Sequence, residues 1–154
     1  MATRVLSLPA LMVAGVTGRG DETEKAWDAF KELTRLNPLT NKASENGYEI
    51  RTYSEKGPGE VHVGFAITSA EVPARYEMFL VPSSMYAEFE IHPASGYESS
   101  NAEINQWLAD NASRYSQLLL EGKHWVLEVY DVRYKGDNDP ESVVGILIPI
   151  VPVG

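Results

Sequence analysis

The 154-residue sequence contains no cysteine. That excludes disulfides, thiol nucleophiles and cysteine-bound metals. Histidine is scarce. His62, His92 and His124 stand far apart, and none has a partner at metal-ligand spacing. All three are expected at the surface or on a pocket rim, and no metal site is expected. Positive charge is short too, with 13 Lys and Arg against 22 Asp and Glu, a formal net charge of -9. No basic cluster offsets it, so nucleic acid and anionic membranes are not expected as partners. No apolar run approaches the ~20 residues of a membrane helix. The N-terminal stretch MATRVLSLPALMVAGVTG has one basic residue and is interrupted by Pro9, so it reads as a strand and not as a signal peptide. A cytoplasmic location is expected. The segment GVTGRGD lacks the Lys-Ser/Thr ending of a phosphate loop and the spacing of a dinucleotide fingerprint. Serine and histidine never fall into a triad order, and no cofactor is expected.

What is present fits one domain over residues 1–154, with enough apolar content (44%) for a sizeable core. Val5 to Val16 reads as a strand marked by Pro9. Asp21-Glu22-Thr23-Glu24 has the spacing of a capping box, and Ala26, Trp27, Phe30, Leu33 and Leu36 follow at helical period until Asn37-Pro38. The stretch PLTNKASENG reads as a loop. Tyr48–Tyr53 and Val61–Ile67 read as a hairpin across SEKGPGE, and Arg75–Leu80 as a further strand. Met85, Ala87, Phe89 and Ile91 alternate with Tyr86, Glu88, Glu90 and His92, which predicts a half-buried strand. Ser100-Asn101-Ala102-Glu103 is a second capping box, ahead of a stripe of Ile104, Trp107, Leu108, Ala112 and Tyr115. Trp125–Tyr134 and VVGILIPIVPV read as strands joined by KGDNDPES.

The chain reads as a duplication, with pseudo-repeats at about 1–70 and 75–154. Leu8-Pro9 and Val81-Pro82 each stand four residues before a methionine. Trp27 matches Trp107, and Glu49 matches Glu128 at the same offset that relates Lys56-Gly57 to Lys135-Gly136. The expected fold is α+β. Duplicated strand–helix–strand–strand units form one antiparallel sheet, with two helices on one face and a central ligand cleft.

Glu128 is the principal candidate. It sits in Trp125-Val126-Leu127-Glu128-Val129-Tyr130, where period-two alternation puts Val126, Glu128, Tyr130, Val132 and Tyr134 on one face. A carboxylate in such surroundings is either protonated or paired. No base shares its strand face, which leaves a solvated face as the ordinary reading and an organic-cation receptor as the functional one. Tyr48, Phe65, Tyr86, Trp107 and Tyr130 are the candidate aromatic walls. A pair of carboxylates forms if Glu49 and Glu128 meet across the cleft.

Three segments carry a resemblance to the GyrI-like small-molecule-binding family, which includes the effector domains of drug-responsive transcription activators. They are VPSSMYAEFEIHPASG, the Trp107 helix, and HWVLEVYDVRY followed by GILIPI. The N-terminal LPALMVAGVTGRG is similar to the family's first strand. The resemblance implies a central hydrophobic pocket in which a buried glutamate attracts lipophilic cations. It places Glu128 at that glutamate, with Tyr130, Trp107 and Tyr86 in matching positions. Tyr48 and Phe65 come only from the pseudo-repeat and parity. Activators of this kind usually carry a helix-turn-helix region ahead of the effector domain, whereas this sequence starts almost directly with the effector-like strand. The expectation is a stand-alone binding protein for amphipathic or cationic small molecules, without direct nucleic-acid contact and open to a separate protein partner. The alternatives are a hydrolase of reactive small molecules using the same glutamate, and a protein-interaction regulator resembling gyrase inhibitors.

Overall fold

The computed structural model describes residues 3–154. Nine strands form a single open antiparallel sheet: β1 Thr3–Leu8, β2 Leu11–Arg19, β3 Lys42–Thr52, β4 Glu60–Ile67, β5 Glu77–Val81, β6 Ser84–Ile91, β7 Tyr115–Gln117, β8 Trp125–Tyr130 and β9 Val144–Pro152. Two helices, α1 Thr23–Leu36 and α2 Glu98–Asp110, complete it. The strand order is β1-β6-β9-β8-β3-β4-β2-β5, with β7 pairing to β9 off that path. Two strand–helix–strand–strand units therefore join edge to edge through β3 and β8, as the sequence predicts. No helix among the described residues is long and apolar enough to cross a membrane.

The two prolines shape the sheet. Thr3 opposes Phe89, Leu8 opposes Ser84, Leu11 opposes Val81 and Gly15 opposes Glu77. The register is the same on both sides of the break, so one long ladder is interrupted where Pro9 and Pro82 cannot donate a backbone N–H. Hence the expected strand Val5–Val16 appears as two. Val13, Ile50, Val81, Tyr86, Trp125, Leu127 and Leu147, drawn from both sides of the break, form the core of one sheet face.

The other face carries the helices. Ala26 and Phe30 of α1 pack on Ala14, Val61 and Val63. Ile104 and Trp107 of α2 pack on Ala87, Phe89, Ile146 and Ile148. Pairing registers define a row of residues running across this face: Val63, Glu49, Glu128, Ile146, Phe89. Its ends lie under the helices, and its middle is the β3–β8 seam.

Several local expectations change. Neither capping box forms. Helix α1 has Glu22 at its N-cap with no side-chain cap, because Asp21 is taken by Arg19 at 3.1 Å. Helix α2 starts at Glu98, ahead of Ser100, since Gly96 (φ 80°) turns the chain directly from a 3-10 turn at Pro93–Ser95 into the helix. Ala112 and Tyr115 fall beyond α2, and Tyr115 opens β7. β3 begins at Lys42, inside the expected loop, because Asn41 ties this end to Thr68, Ser69 and Glu71. β8 stops at Tyr130, not Tyr134. Asp131 accepts the Arg133 backbone N–H and guanidinium at 2.9 Å, and this local turn leaves Val132 92% exposed. His62 is 3% exposed, not on a rim. Its ring bonds the Thr17 hydroxyl and the Val13 carbonyl, each at 2.9 Å, and that pairing makes its burial tolerable.

Gly15 and Gly64 oppose each other between β2 and β4. A methyl group on Gly15 would overlap the Val63 carbonyl, and one on Gly64 the Ala14 carbonyl. Gly15→Ala is therefore expected to lower unfolding stability by about 1–3 kcal/mol, read from the urea midpoint. An unchanged midpoint would show that β2 and β4 need no such close approach.

Candidate functional site

The β3–β8 seam forms the floor of a cleft of about 1310 Å³ between the two helices. Glu49 and Glu128 are direct pairing partners there, so their side chains leave the sheet side by side. Both are buried, at 4% and 8% exposure. The ordinary reading of Glu128 as a residue on a solvated face does not hold.

Each carboxylate has assigned partners. The Trp27 indole N–H donates to Glu49 Oε1 at 2.6 Å, and the Tyr130 hydroxyl donates to Glu128 Oε1 at 3.3 Å. Arg51, two residues beyond Glu49 on the same face of β3, lies 3.5 Å from Glu49 and 3.8 Å from Glu128. The sequence shows no base on Glu128's own strand face. The base comes from the neighbouring strand. Burial pushes the Glu128 carboxyl up to about 8, the adjacent Glu49 carboxylate adds to this, and Arg51 pulls partly the other way. At neutral pH the pair thus holds a proton. Burial likewise raises the Tyr130 phenol, with Glu128 and Glu49 adding to it. Tyr97 and Tyr134 are each pushed up to about 12, chiefly by burial, so all three remain neutral hydroxyls.

The walls are aromatic. Trp27 meets Tyr130 edge to face at 6.0 Å, and Tyr130 meets Tyr134 at 4.9 Å. Tyr53 and Tyr97 complete the lining, with Ile104, Leu108, Ile146 and Ile148 on the α2 side. Tyr134 reaches the cleft from the loop after β8, where its hydroxyl donates to Asp137 at 2.7 Å. Ring faces and edges thus surround the carboxylate pair. Among the described residues no cluster of His, Asp or Glu is arranged to hold a metal ion.

Of the six residues singled out from sequence, the structure brings Glu128 and Tyr130 into the cleft. It places the other four elsewhere. Tyr86 lies on the opposite sheet face, edge-on to Trp125 at 6.2 Å, with its hydroxyl donating to the Pro82 carbonyl. Tyr48 packs in that same core. Trp107 stacks on Tyr115 and abuts Phe89 in the α2 core, and Phe65 sits against Phe30 beneath α1. Sequence reasoning missed Trp27, Arg51, Tyr53, Tyr97 and Tyr134. The pseudo-repeat did match Trp27 to Trp107, a signal that both tryptophans deserved equal weight as wall candidates.

An open antiparallel sheet with both helices on one face and a cleft over its central seam is the architecture of small-molecule effector-binding domains. A family model for Cass2, the integron-associated effector binding protein, matches residues 4–150, and the chain belongs to that family. The transcriptional regulator BrlR of Pseudomonas aeruginosa is 30% identical over 160 residues. That match covers 97% of this chain and 56% of BrlR, so the chain spans little more than half of that relative's length. Among solved structures, the C-terminal domain of EcmrR superposes with a TM-score of 0.71 at 14% identity, covering 99% of this chain and 98% of that domain. SAV2435 bound to tetraphenylphosphonium gives 0.64 at 15% identity, covering 98% and 94%. At such identities these two share the fold.

The proton on Glu128 makes a stability prediction. Its folded pKa of about 8 lies above the ordinary 4.5, so between those values the folded state binds more protons than the unfolded one. The associated stability is fully present below about pH 4.5 and is lost as pH rises through about 8. Glu128→Gln mimics the protonated acid and removes this term. The stability of wild type relative to E128Q should therefore fall by up to about 1.4 kcal/mol per pH unit across that range. Taking the difference cancels His62, which titrates in both proteins. A flat difference from pH 5 to 8 would mean that Glu128 is not held protonated.

Proposed function

We propose that this chain binds amphipathic organic cations in the β3–β8 cleft and that Glu128, paired with Glu49, is the group that recognises their charge. The observation that carries this reading is two buried carboxylates side by side on the floor of a cleft walled by Trp27, Tyr97, Tyr130 and Tyr134. Apolar and aromatic surface removes the ligand's hydrophobic area from water, at roughly 25 cal/mol per Å². Desolvated cation–π contacts add about 0.5–2 kcal/mol each. The carboxylate pair supplies the discrimination. A neutral isostere leaves the raised Glu128 carboxyl as it is, whereas a cation beside it favours the ionised carboxylate and gains its charge.

Membership of an effector-binding family supports this reading, and so does the tetraphenylphosphonium held by SAV2435 on the same fold. Tyr130 acts with Glu128, its hydroxyl holding the carboxylate toward the cleft. Trp27 is the wall that also orients Glu49.

The test is a titration with tetraphenylphosphonium and with neutral triphenylphosphine oxide, followed by tryptophan emission. Trp27 is the reporter, since Trp107 and Trp125 lie in the cores of the two sheet faces. E128Q is expected to lose about tenfold or more in affinity for the cation while the neutral compound changes little. Equal losses for both compounds would remove Glu128 as the charge-recognising group.

A further inference from the structure

Among the described residues, Arg51 is the one base seated among the buried carboxylates of the cleft floor. It does not lie there loosely. Its Nη1 donates to the Gly20 carbonyl at 2.6 Å and its Nη2 to the Thr23 hydroxyl at 2.8 Å. The entry to α1 thus fixes a guanidinium 3.5 Å from Glu49 and 3.8 Å from Glu128. The three side chains are 20%, 5% and 10% exposed. The other charged groups around the cleft, Glu24, Asp28 and Lys31 of α1, Asp137 and His124, are solvent-exposed, where water and salt screen them. The buried Glu49–Glu128–Arg51 set therefore dominates the charge that a ligand meets.

We propose that Arg51 is a built-in counter-ion that sets ligand valence, so that the cleft takes singly charged organic cations in preference to doubly charged ones. This rests on the cation-binding reading above and specifies its ligand class. With both carboxylates ionised, the set carries one negative charge beyond what Arg51 neutralises. One ligand charge closes that balance. A second would leave net positive charge in a site removed from water, which is costly.

A consequence in protons follows. Glu128 faces Glu49 and Arg51 from β3, Tyr53 just past the end of β3, Tyr97 from the residue before α2, Tyr130 from its own strand, and the uncharged Trp27 from α1. The tyrosines stay neutral, so the buried set is neutral at pH 7 while the carboxyl pair holds its proton. Entry of a monocation then expels that proton. Without Arg51, Glu49 alone balances the same ligand and no proton need leave.

The experiment is calorimetric titration at pH 7 in buffers of different ionisation heat, with tetraphenylphosphonium and an alkane-linked bis-triphenylphosphonium dication. Wild type should favour the monocation and release about one proton. Arg51→Lys keeps the charge and should keep both properties. Arg51→Gln should raise the dication-to-monocation affinity ratio on the order of tenfold and bring proton release with the monocation toward zero. The double variant E49Q/R51Q restores the charge count of the wild type with neither buried partner. It should return to monocation preference, and it serves equally if R51Q alone does not fold. Equal weakening of both ligands in R51Q, with proton release unchanged, would show Arg51 to be merely structural. If wild type binds neither compound, the cation-binding reading and this one fall together. Wild-type binding without the switch overturns this one alone.

Discussion

The juxtaposition of Glu49 and Glu128 across the β3–β8 seam is the constraint around which the site is organised. Two carboxylates forced side by side in a largely dry position cannot both ionise without help. The molecule answers with a raised Glu128 carboxyl, one guanidinium, an indole N–H and a phenol. The guanidinium comes from β3 itself, the indole from α1 and the phenol from β8. Holding them in register requires the two halves to meet along one strand pair and the helices to stand on either side of it. In the proposed cation-binding role, the ligand's charge is what favours the second ionised carboxylate.

The rest of the architecture keeps the seam open and rigid. Each helix covers the outer strands of its own half, α1 over β2 and β4, α2 over β6 and β9. The central pair is left uncovered on that face, and so the cleft forms. On the reverse face the same strands are sealed by Trp125, Leu127, Ile50 and Tyr86, which keeps water from reaching the carboxylates from below. The broken ladder at Pro9 and Pro82 lets one sheet serve both cores without a closed barrel. The lining here is tyrosine-rich, which gives broad contact with neutral hydroxyls and little penalty for desolvation.

Much of the fold was legible in the sequence. Alternation in Met85–Ile91 and Val61–Ile67, the helical stripe after Thr23, and the duplicated order of elements sufficed for the architecture. Period-two parity on Trp125–Tyr130 correctly separated Glu128 and Tyr130 from Trp125, Leu127 and Val129. Local competition defeated the finer expectations. Asp131 ended β8 early by bonding Arg133, and Asp21 was claimed by Arg19 before it could cap α1. His62 looked exposed by parity alone, but pairing of β2 with β4 sets Thr17 opposite it and brings the Val13 carbonyl to its ring.

The sequence by itself determined that this is an acidic, cysteine-free α+β chain with a glutamate set between apolar residues of a strand, because composition and hydrophobic period are local properties, while the burial of that glutamate was decided by the fold. Which aromatic residues face that glutamate was decided only in three dimensions. Trp27, Tyr97 and Tyr134 lie on a helix, before a helix and in a loop, and nothing in their spacing reveals a shared wall. The same holds for Arg51. It is far from Glu128 in sequence, yet strand pairing sets it beside that carboxylate, and its charge counts because the carboxylate is buried and the guanidinium is largely shielded from water.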